Sequence, residues 1–502
     1  MTHFMPAATG FRIVAGRDAD RPPAPRFAGS GPTTELSERT DGVALWTALL
    51  HLGAPDGAVA RRGGKVTVLA GEIYNGAELR PLVTDDSPAS DAELILALFE
   101  VYDLHAFRLV NGRFAAFVLD GDRAVLATDH AGTVPLYATV APGRVCAGTE
   151  AKALRNAGPG LLLPGSRPVA GLDGVHQVTA GSVLEVNVVS GAVRPHRTWT
   201  PPVHRRVMSE SRAVDAVREA LRRAVRARLG DGTPLVVISG GIDSSSVAAL
   251  AADASPTKID TVSMGTTESD EFPQARAVAE HLGSTHQEIT IPTDRLIRRL
   301  PHAVGAAECG DPDIIEYLLP LTALYRELSG TGRRILTGYG ADIPLGGMHR
   351  ESRLPQLDSA VAHDMDTFDG LNEMTPVLSG ISGHWTTHPF WDRDVLDVLV
   401  PLEAGLKRRH GQDKWALRAA MCDVLPRETV LRPKLGVHEG SGTTSYFSRL
   451  LLDLEVPEQR VPAAKRQVTE EVFRAVVVDG RDPDEVDITD VVRRVAAARP
   501  AT

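Results

Sequence analysis

Pro234–Ala252 reads PLVVISGGIDSSSVAALAA. Pro234 to Ile238 is a short apolar run of the buried-strand kind, Ser239 to Asp243 a tight loop, and the stretch from Ser244 onward a small-residue helix. Glycines let a backbone approach an anion closely, and the first turn of a helix offers free N–H groups at the positive end of its dipole. Strand, glycine loop and helix in that order therefore predict a phosphate site on an α/β domain. The loop is not of the GxxxxGK[ST] kind, which brings a lysine to the β and γ phosphates, because Asp243 and Ser244 follow the glycines here. An aspartate beside bound phosphates most economically holds Mg²⁺. Short Gly/Ser strings also make ordinary strand-to-helix turns, so the rest of the chain has to decide.

The chain has 502 residues, enough for two or three domains. Lys plus Arg number 54 against 64 Asp plus Glu, a net charge of −10 that argues against a nucleic-acid partner, and aromatics at 5% leave little for base stacking. With 43% hydrophobic and 24% charged residues the chain can bury substantial cores. No apolar run reaches the roughly 18 residues of a membrane span, and the N-terminus has no basic stretch leading into an apolar one, which predicts a cytoplasmic protein. Cys146, Cys309 and Cys422 lie far apart without CxxC spacing, so neither a disulfide framework nor a zinc site is expected.

Up to about residue 200 the pattern is strand-rich. Lys65–Ala70 alternates, Arg113–Leu119 runs through Asp120, Gly121 and Asp122 into Arg123–Ala127 as a hairpin, and Ser182–Val189 ends in a Ser190-Gly191 turn. Ser90 is a candidate N-cap for a helix through Tyr102. Pro201 and Pro202 mark a boundary, and the expected domains are 1–203 and 204–502. From Ser209 a helical period places Val214, Val217, Leu221 and Val225 on one face, with Arg218, Arg222, Arg226 and Arg228 read as a solvated face.

The glycine loop resembles the PP-loop of the N-type ATP pyrophosphatases, and further motifs in order extend the resemblance to the class B asparagine synthetase family. Gly71–Gly76 (GEIYNG), Ser90–Glu93 (SDAE), Asp129–Tyr137 (DHAGTVPLY) and Glu150–Leu154 (EAKAL) are similar to its glutaminase half. Asp260–Gly265 (DTVSMG), Gly338–Gly347 (GYGADIPLGG), Lys414–Arg418 (KWALR) and Arg432–Gly440 (RPKLGVHEG) are similar to its synthetase half. The resemblance implies an Ntn-hydrolase-like αββα sandwich followed by an α/β PP-loop ATP-pyrophosphatase domain of the adenine nucleotide alpha hydrolase-like type. It implies ATP and Mg²⁺ as cofactors, a small amino-acid substrate and a possible homodimer. The implied nucleotide contacts are Val237, Ser239, Gly240, Gly241, Asp243, Ser244, Val262, Ser263, Met264, Gly338 and Lys414, with Asp243 and Asp342 on the metal.

Two departures narrow the reading. A glutaminase of this type needs Cys after the initiator Met, and Thr2 stands there, so the first domain is expected to make no ammonia. Tyr339 stands where the asparagine synthetases resemble GEGADE with an acidic residue. With Glu373 and Lys434 it resembles the β-lactam-forming branch of the family. That branch implies adenylation of the carboxylate of N2-(2-carboxyethyl)-L-arginine, followed by attack of the molecule's own secondary amine.

The residue types suit such chemistry. The amine must lose a proton as it attacks, and a phenol of pKa about 10 matches it once a partner such as Glu373 orients it. Lys434 would offset the developing oxyanion, worth about 3 to 4 kcal/mol for one such donor, and Lys414 the leaving pyrophosphate. Only seven of the 54 basic residues are lysine, which makes those two more telling. A guanidinium substrate wants a carboxylate; Asp364 is favoured over Asp311, Glu316, Asp366 and Asp369, with Tyr317 and Gly340 also on the substrate. Singly, each of these acids also reads as a helix cap or surface residue. Three rival readings stay open: a true asparagine synthetase, another ring-closing relative such as a carbapenam or lasso-peptide cyclase, and a nucleotide-binding scaffold without catalysis.

Overall fold

A computed structural model describes residues 5–16, 25–29, 31–40, 43–83, 88–230, 232–328, 330, 332–349, 354–367, 374–433 and 442–498. Thr2, Glu373 and Lys434 lie outside the described residues, as do Asp369 and the side chain of Asp366.

Two antiparallel sheets of seven and six strands, the last strand ending at Arg197, stack face to face. Gly112–Asp120 (GRFAAFVLD) shows why they form layers: Ala115, Phe117 and Leu119 point into the core between the sheets, while Phe114, Ala116 and Val118 point the other way. Side chains alternate with a period of two, so a strand apolar on both faces must be covered on both. The outer cover of the six-stranded sheet is the helix Asp91–Tyr102, which packs Leu94, Ile95, Leu98 and Phe99 against it. Ser90 caps that helix by accepting from Glu93 N at 3.2 Å. The outer face of the seven-stranded sheet is covered by the Ala151–Leu154 turn and by Val477 from near the end of the chain, against Trp46, Tyr137 and Cys146. The αββα sandwich thus borrows part of its last layer from the second half of the molecule.

The second half is built on five parallel strands in the order Thr285–Ile291, Asp260–Thr266, Leu235–Val237, Arg334–Leu336, Trp385–Thr387. The chain starts at the centre, moves outward on one side, then returns to the other. Such a reversal opens a crevice at the carboxyl ends of the two central strands, which is where ligands bind in open α/β sheets. The loops that end there are Ser239–Gly241 and Thr337–Ala341.

Several local expectations shift by a few residues. The phosphate-loop helix is Ile242–Ala254, starting two residues before the expected Ser244 because Gly241 takes the extended N-cap conformation. The Ser182 strand ends at Asn187 rather than Val189, because Asn187 Oδ1 turns back to accept from Ser190 N. Arg228 departs from the solvated face expected of the helix Glu210–Arg226. Past the helix end it is 2% exposed, donating to Thr387 Oγ1 at 3.0 Å and pairing with Asp392 at 2.7 Å.

Arg228 belongs to a buried polar seam that joins the two halves. Glu72, from the six-stranded sheet, accepts two bonds from Arg334 (2.9 and 2.7 Å), one from Trp385 Nε1 (2.9 Å) and one from the Tyr74 hydroxyl (3.1 Å). Asn111 donates to Asp392, and Arg113 donates to the carbonyl of Met374. Among the described residues no helix is long and apolar enough to cross a membrane.

Candidate active site

The two central loops touch. A Cβ on Gly338 would lie 2.3 Å from Ser244 N, so only glycine lets the Thr337–Ala341 loop sit on the first turn of the phosphate-loop helix. Ser239, Gly241, Asp243, Ser244, Val237, Gly338, Tyr339, Gly340 and Asp342 all line the resulting cleft, as does Tyr317 from the helix Pro312–Glu327. Inside the loop, Ser239 N donates to Ser244 Oγ at 3.2 Å and Gly241 N to Ser239 Oγ at 3.4 Å, which fixes its shape.

Lys414 reaches the same place from the far side. It is 1% exposed, holds a left-handed backbone (φ 57°) at the start of the helix Trp415–Met421, and its Nζ bonds Asp243 Oδ2 and lies 2.8 Å from Asp342 Oδ1. Two carboxylates thus face one ammonium, and the Arg418 guanidinium lies close enough to feel the Asp243 charge. Asp243 Oδ1 has no hydrogen-bond partner among the described residues. A buried carboxylate oxygen left unsatisfied costs about 1 to 3 kcal/mol or more, so the site is made to receive a further cation or donor. Two aspartates with oxygen donors only fit a hard divalent cation.

Tyr339 stands half-buried between two rings. Tyr317 meets it edge-on at 5.2 Å between centroids, and His388 tilts against it at 5.7 Å. His388 Nδ1 shares a 2.7 Å hydrogen bond with Thr337 Oγ1, and that hydroxyl accepts from Tyr339 N at 3.2 Å. Burial, reinforced by the Arg113 and Arg228 charges, holds the His388 imidazole well below its usual pKa, so it is neutral there. The aromatic floor of the cleft is therefore uncharged, while its phosphate end carries the charge.

Other expected residues do not reach the cleft wall. Val262 packs into the apolar cluster with Leu235 and Ile335, Met264 rests against that cluster, and Ser263 Oγ bonds His286 at 3.1 Å. Their strand lies beside the central one, with Val262 in register with Val237, but the side chains point into the layers. Asp364 pairs with His349 at 2.6 Å instead of lining the cleft, because the helix Leu354–Asp366 turns that face toward the Gly347–His349 segment. Glu316 is buried against Lys465 at 2.5 Å, and Asp311 caps its own helix by accepting from Asp313 N.

Sequence reasoning passes over Arg418, Arg432 and Glu271, all of which line the cleft. Arg418 donates from Nε to Asp413 O at 2.7 Å; Arg432 pairs with Glu271 at 2.5 Å and donates to Ser239 O at 2.9 Å. Arg418 and Arg432 fall inside the KWALR and RPKLG motifs, so proximity to Lys414 and Lys434 is the signal the sequence offers. Thr337 and His388 carry none.

The asparagine synthase family model matches residues 216–376 and 381–485, and the glutamine amidotransferase domain model matches residues 57–156. A carboxyethyl-arginine beta-lactam-synthase from Streptomyces clavuligerus is 62% identical over 98% of this chain and 98% of its own length. Glutamine-hydrolysing asparagine synthetases are more distant. One from Saccharomyces cerevisiae is 26% identical over 74% of this chain and 72% of its own, and one from Escherichia coli is 25% identical over 75% and 71%. A phosphate-loop cleft at the reversal of a parallel sheet, behind a two-sheet sandwich, is what these matches span in sequence, and the chain is a member of the asparagine synthase family.

Proposed function

We propose that this chain is an ATP-dependent ligase that closes a β-lactam ring on N2-(2-carboxyethyl)-L-arginine, forming deoxyguanidinoproclavaminate, AMP and pyrophosphate. The observation that carries the reading is the place of Tyr339: a phenol on the wall of the phosphate cleft, packed between uncharged rings. The 62% identical relative named for carboxyethyl-arginine supports the same substrate.

The loop Ser239–Ser244 and the start of its helix cradle the polyphosphate of ATP, with backbone N–H groups toward the anion. A carboxylate oxygen of the substrate attacks the α phosphorus, and the bond to the β phosphate breaks to release pyrophosphate. Asp243 and Asp342 would hold Mg²⁺, which would spread the charge on the phosphates and the departing pyrophosphate. Lys414 adds a fixed positive charge at the same end.

In the second step the secondary amine attacks the acyl carbon, loses its proton, and AMP leaves with the carboxylate oxygen. Tyr339 takes that proton as its own phenolic proton passes to Glu373, and Lys434 faces the oxyanion; the roles of Glu373 and Lys434 come from the sequence pattern. No ammonia is needed, which agrees with Thr2 in place of a nucleophilic cysteine. Residues 1–203 then form a domain without amidotransferase activity.

The test is pyrophosphate release with carboxyethylarginine, compared with aspartate plus glutamine or ammonia. Release with carboxyethylarginine is expected. Release only with aspartate would assign the chain to asparagine synthesis, and none with any acid would leave a nucleotide-binding scaffold.

A further inference from the structure

We propose that Arg432 is a positioning residue that ties the phosphate loop to the segment entering Lys434, so that the activated acid is closed into a ring before water takes it. This rests on the proposed lactam-forming activity and adds to it the residue that couples the two half-reactions.

Three segments distant in sequence meet at one guanidinium. Arg432 Nη1 donates to the carbonyl of Ser239, the residue that opens the phosphate loop, at 2.9 Å. Its Nη2 lies 2.5 Å from Glu271 Oε1, just before the helix Phe272–Leu282. Both side chains are largely buried, at 17% and 15% exposure, and both line the nucleotide cleft with Pro433. Burial raises the Glu271 carboxyl above its usual pKa, and Arg432 opposes that rise. A fork with two bonds in different directions fixes an orientation as well as a distance, which an ammonium cannot do.

The pin bears on the next residues of the chain. Arg432 caps the short helix Arg427–Leu431, and Pro433 next to it has a fixed φ. The backbone therefore leaves the helix from a point pinned to the phosphate loop, with a restricted direction, two residues before Lys434. The loop is already shaped by its own Ser239 and Ser244 contacts, so ATP binding leans on this pin less than the later step does. Ring closure is the step that would feel it, because in the proposed mechanism Lys434 has to meet an acyl carbon whose place is set by the loop. A misplacement of about 1 Å costs on the order of 10²-fold in such a step. Water that attacks the acyl carbon instead of the amine returns the acid plus AMP, so a loosened segment shows as AMP formed without lactam.

Arg432→Gln, Arg432→Lys and Glu271→Gln are compared with the wild-type chain for ATP KM, substrate-dependent exchange of labelled pyrophosphate into ATP, and lactam formed per AMP. Arg432→Gln is expected to keep ATP KM within about 3-fold and to retain exchange, while lactam per AMP falls well below one with the acid recovered. Arg432→Lys, which keeps the charge and one contact, is expected to recover part of the coupling. Glu271→Gln is expected to retain more of it, because the bond to Ser239 survives. Coupling of one lactam per AMP in Arg432→Gln would overturn the proposal, as would a KM more than 10-fold higher with coupling intact, which would make Arg432 a nucleotide contact. Should Arg432→Gln not fold, by thermal melting, the lysine variant carries the same comparison, and full coupling there with lost coupling in Glu271→Gln would also overturn it. Failure of the lactam-forming reading itself is distinguishable, since the wild-type chain would then show no exchange with carboxyethylarginine.

Discussion

Replacing Glu72 by glutamine leaves three buried guanidiniums, Arg113, Arg228 and Arg334, with only Asp392 and Asp129 as buried carboxylates near them. Burial alone would raise the Glu72 carboxyl, but the Arg334 charge and bonds, the Trp385 N–H and Arg228 together hold it below the usual carboxylate range. It is therefore ionised in the folded protein. Removing one partner of a buried pair costs about 3 to 5 kcal/mol, since the other charge stays desolvated. Glutamine keeps one acceptor oxygen, which places the expected loss near roughly 3 kcal/mol. At about 2 to 4 °C per kcal/mol for domains of 150 to 250 residues, the melting temperature should fall by roughly 6 to 12 °C. Arg334–Leu336 is the strand that leads into the Thr337–Ala341 loop, so kcat should fall as well. Differential scanning calorimetry reads the first effect and product formation the second. Adding Arg334→Met to Glu72→Gln should recover part of the stability, because no charge is then left alone. The folded pKa of Glu72 lies below its unfolded value, so its contribution is whole above the unfolded pKa and is lost as pH falls through the folded one. A melting temperature within 1 °C of wild type for Glu72→Gln would refute the seam as the joint between the halves.

Lys407 is fully buried, donating to Val400 O at 2.9 Å, and burial, with Arg205 beside it, pulls its ammonium down to about 7. Between about pH 7 and 10.4 the unfolded chain binds a proton that the folded one does not, so this group makes stability rise with pH. Lys407→Met is expected to stabilise most below pH 7 and least near pH 10; urea midpoints across that range check it, and a gain that grows with pH would contradict it. Gly340 has φ 84°, and a Cβ there would lie 1.9 Å from Trp391 Nε1, so Gly340→Ala should destabilise by about 1 to 3 kcal/mol and cut kcat by more than 10²-fold; wild-type kcat would count against the loop geometry. Asp243→Asn should raise the Mg²⁺ concentration for half-maximal activity at least 10-fold with little change in melting temperature, and an unchanged Mg²⁺ dependence would remove Asp243 from the metal.

What can be read from the sequence is what local chemistry decides. The phosphate loop, the Ser90 cap and the Asp120–Arg123 hairpin are each set within a few residues, and each stands close to its expected place. The phosphate-loop aspartate, Tyr339 and Lys414 converge because the sheet reverses beside the central strand, and their motifs point to the residues without that geometry. Partners far apart in the chain leave no trace. Glu72 and Arg334 are 262 residues apart, and neither spacing nor composition says that a residue of a glutaminase-like motif serves as a counter-ion for the other domain. Asp364 is favoured by charge alone, and charge is satisfied just as well by a neighbouring histidine. Arg432 lies within the RPKLG motif, but its partner Glu271 is 161 residues earlier and only the folded sheet brings them together.

The central claim is that the acid is activated by transfer of AMP, which an amine of the same molecule then displaces. Carboxyethylarginine carrying ¹⁸O in its propionate carboxylate tests this directly by mass spectrometry of the products. One labelled oxygen is expected in AMP and one in the lactam carbonyl, with none in pyrophosphate. Unlabelled AMP, or label appearing in a phosphate released with ADP, would contradict the account.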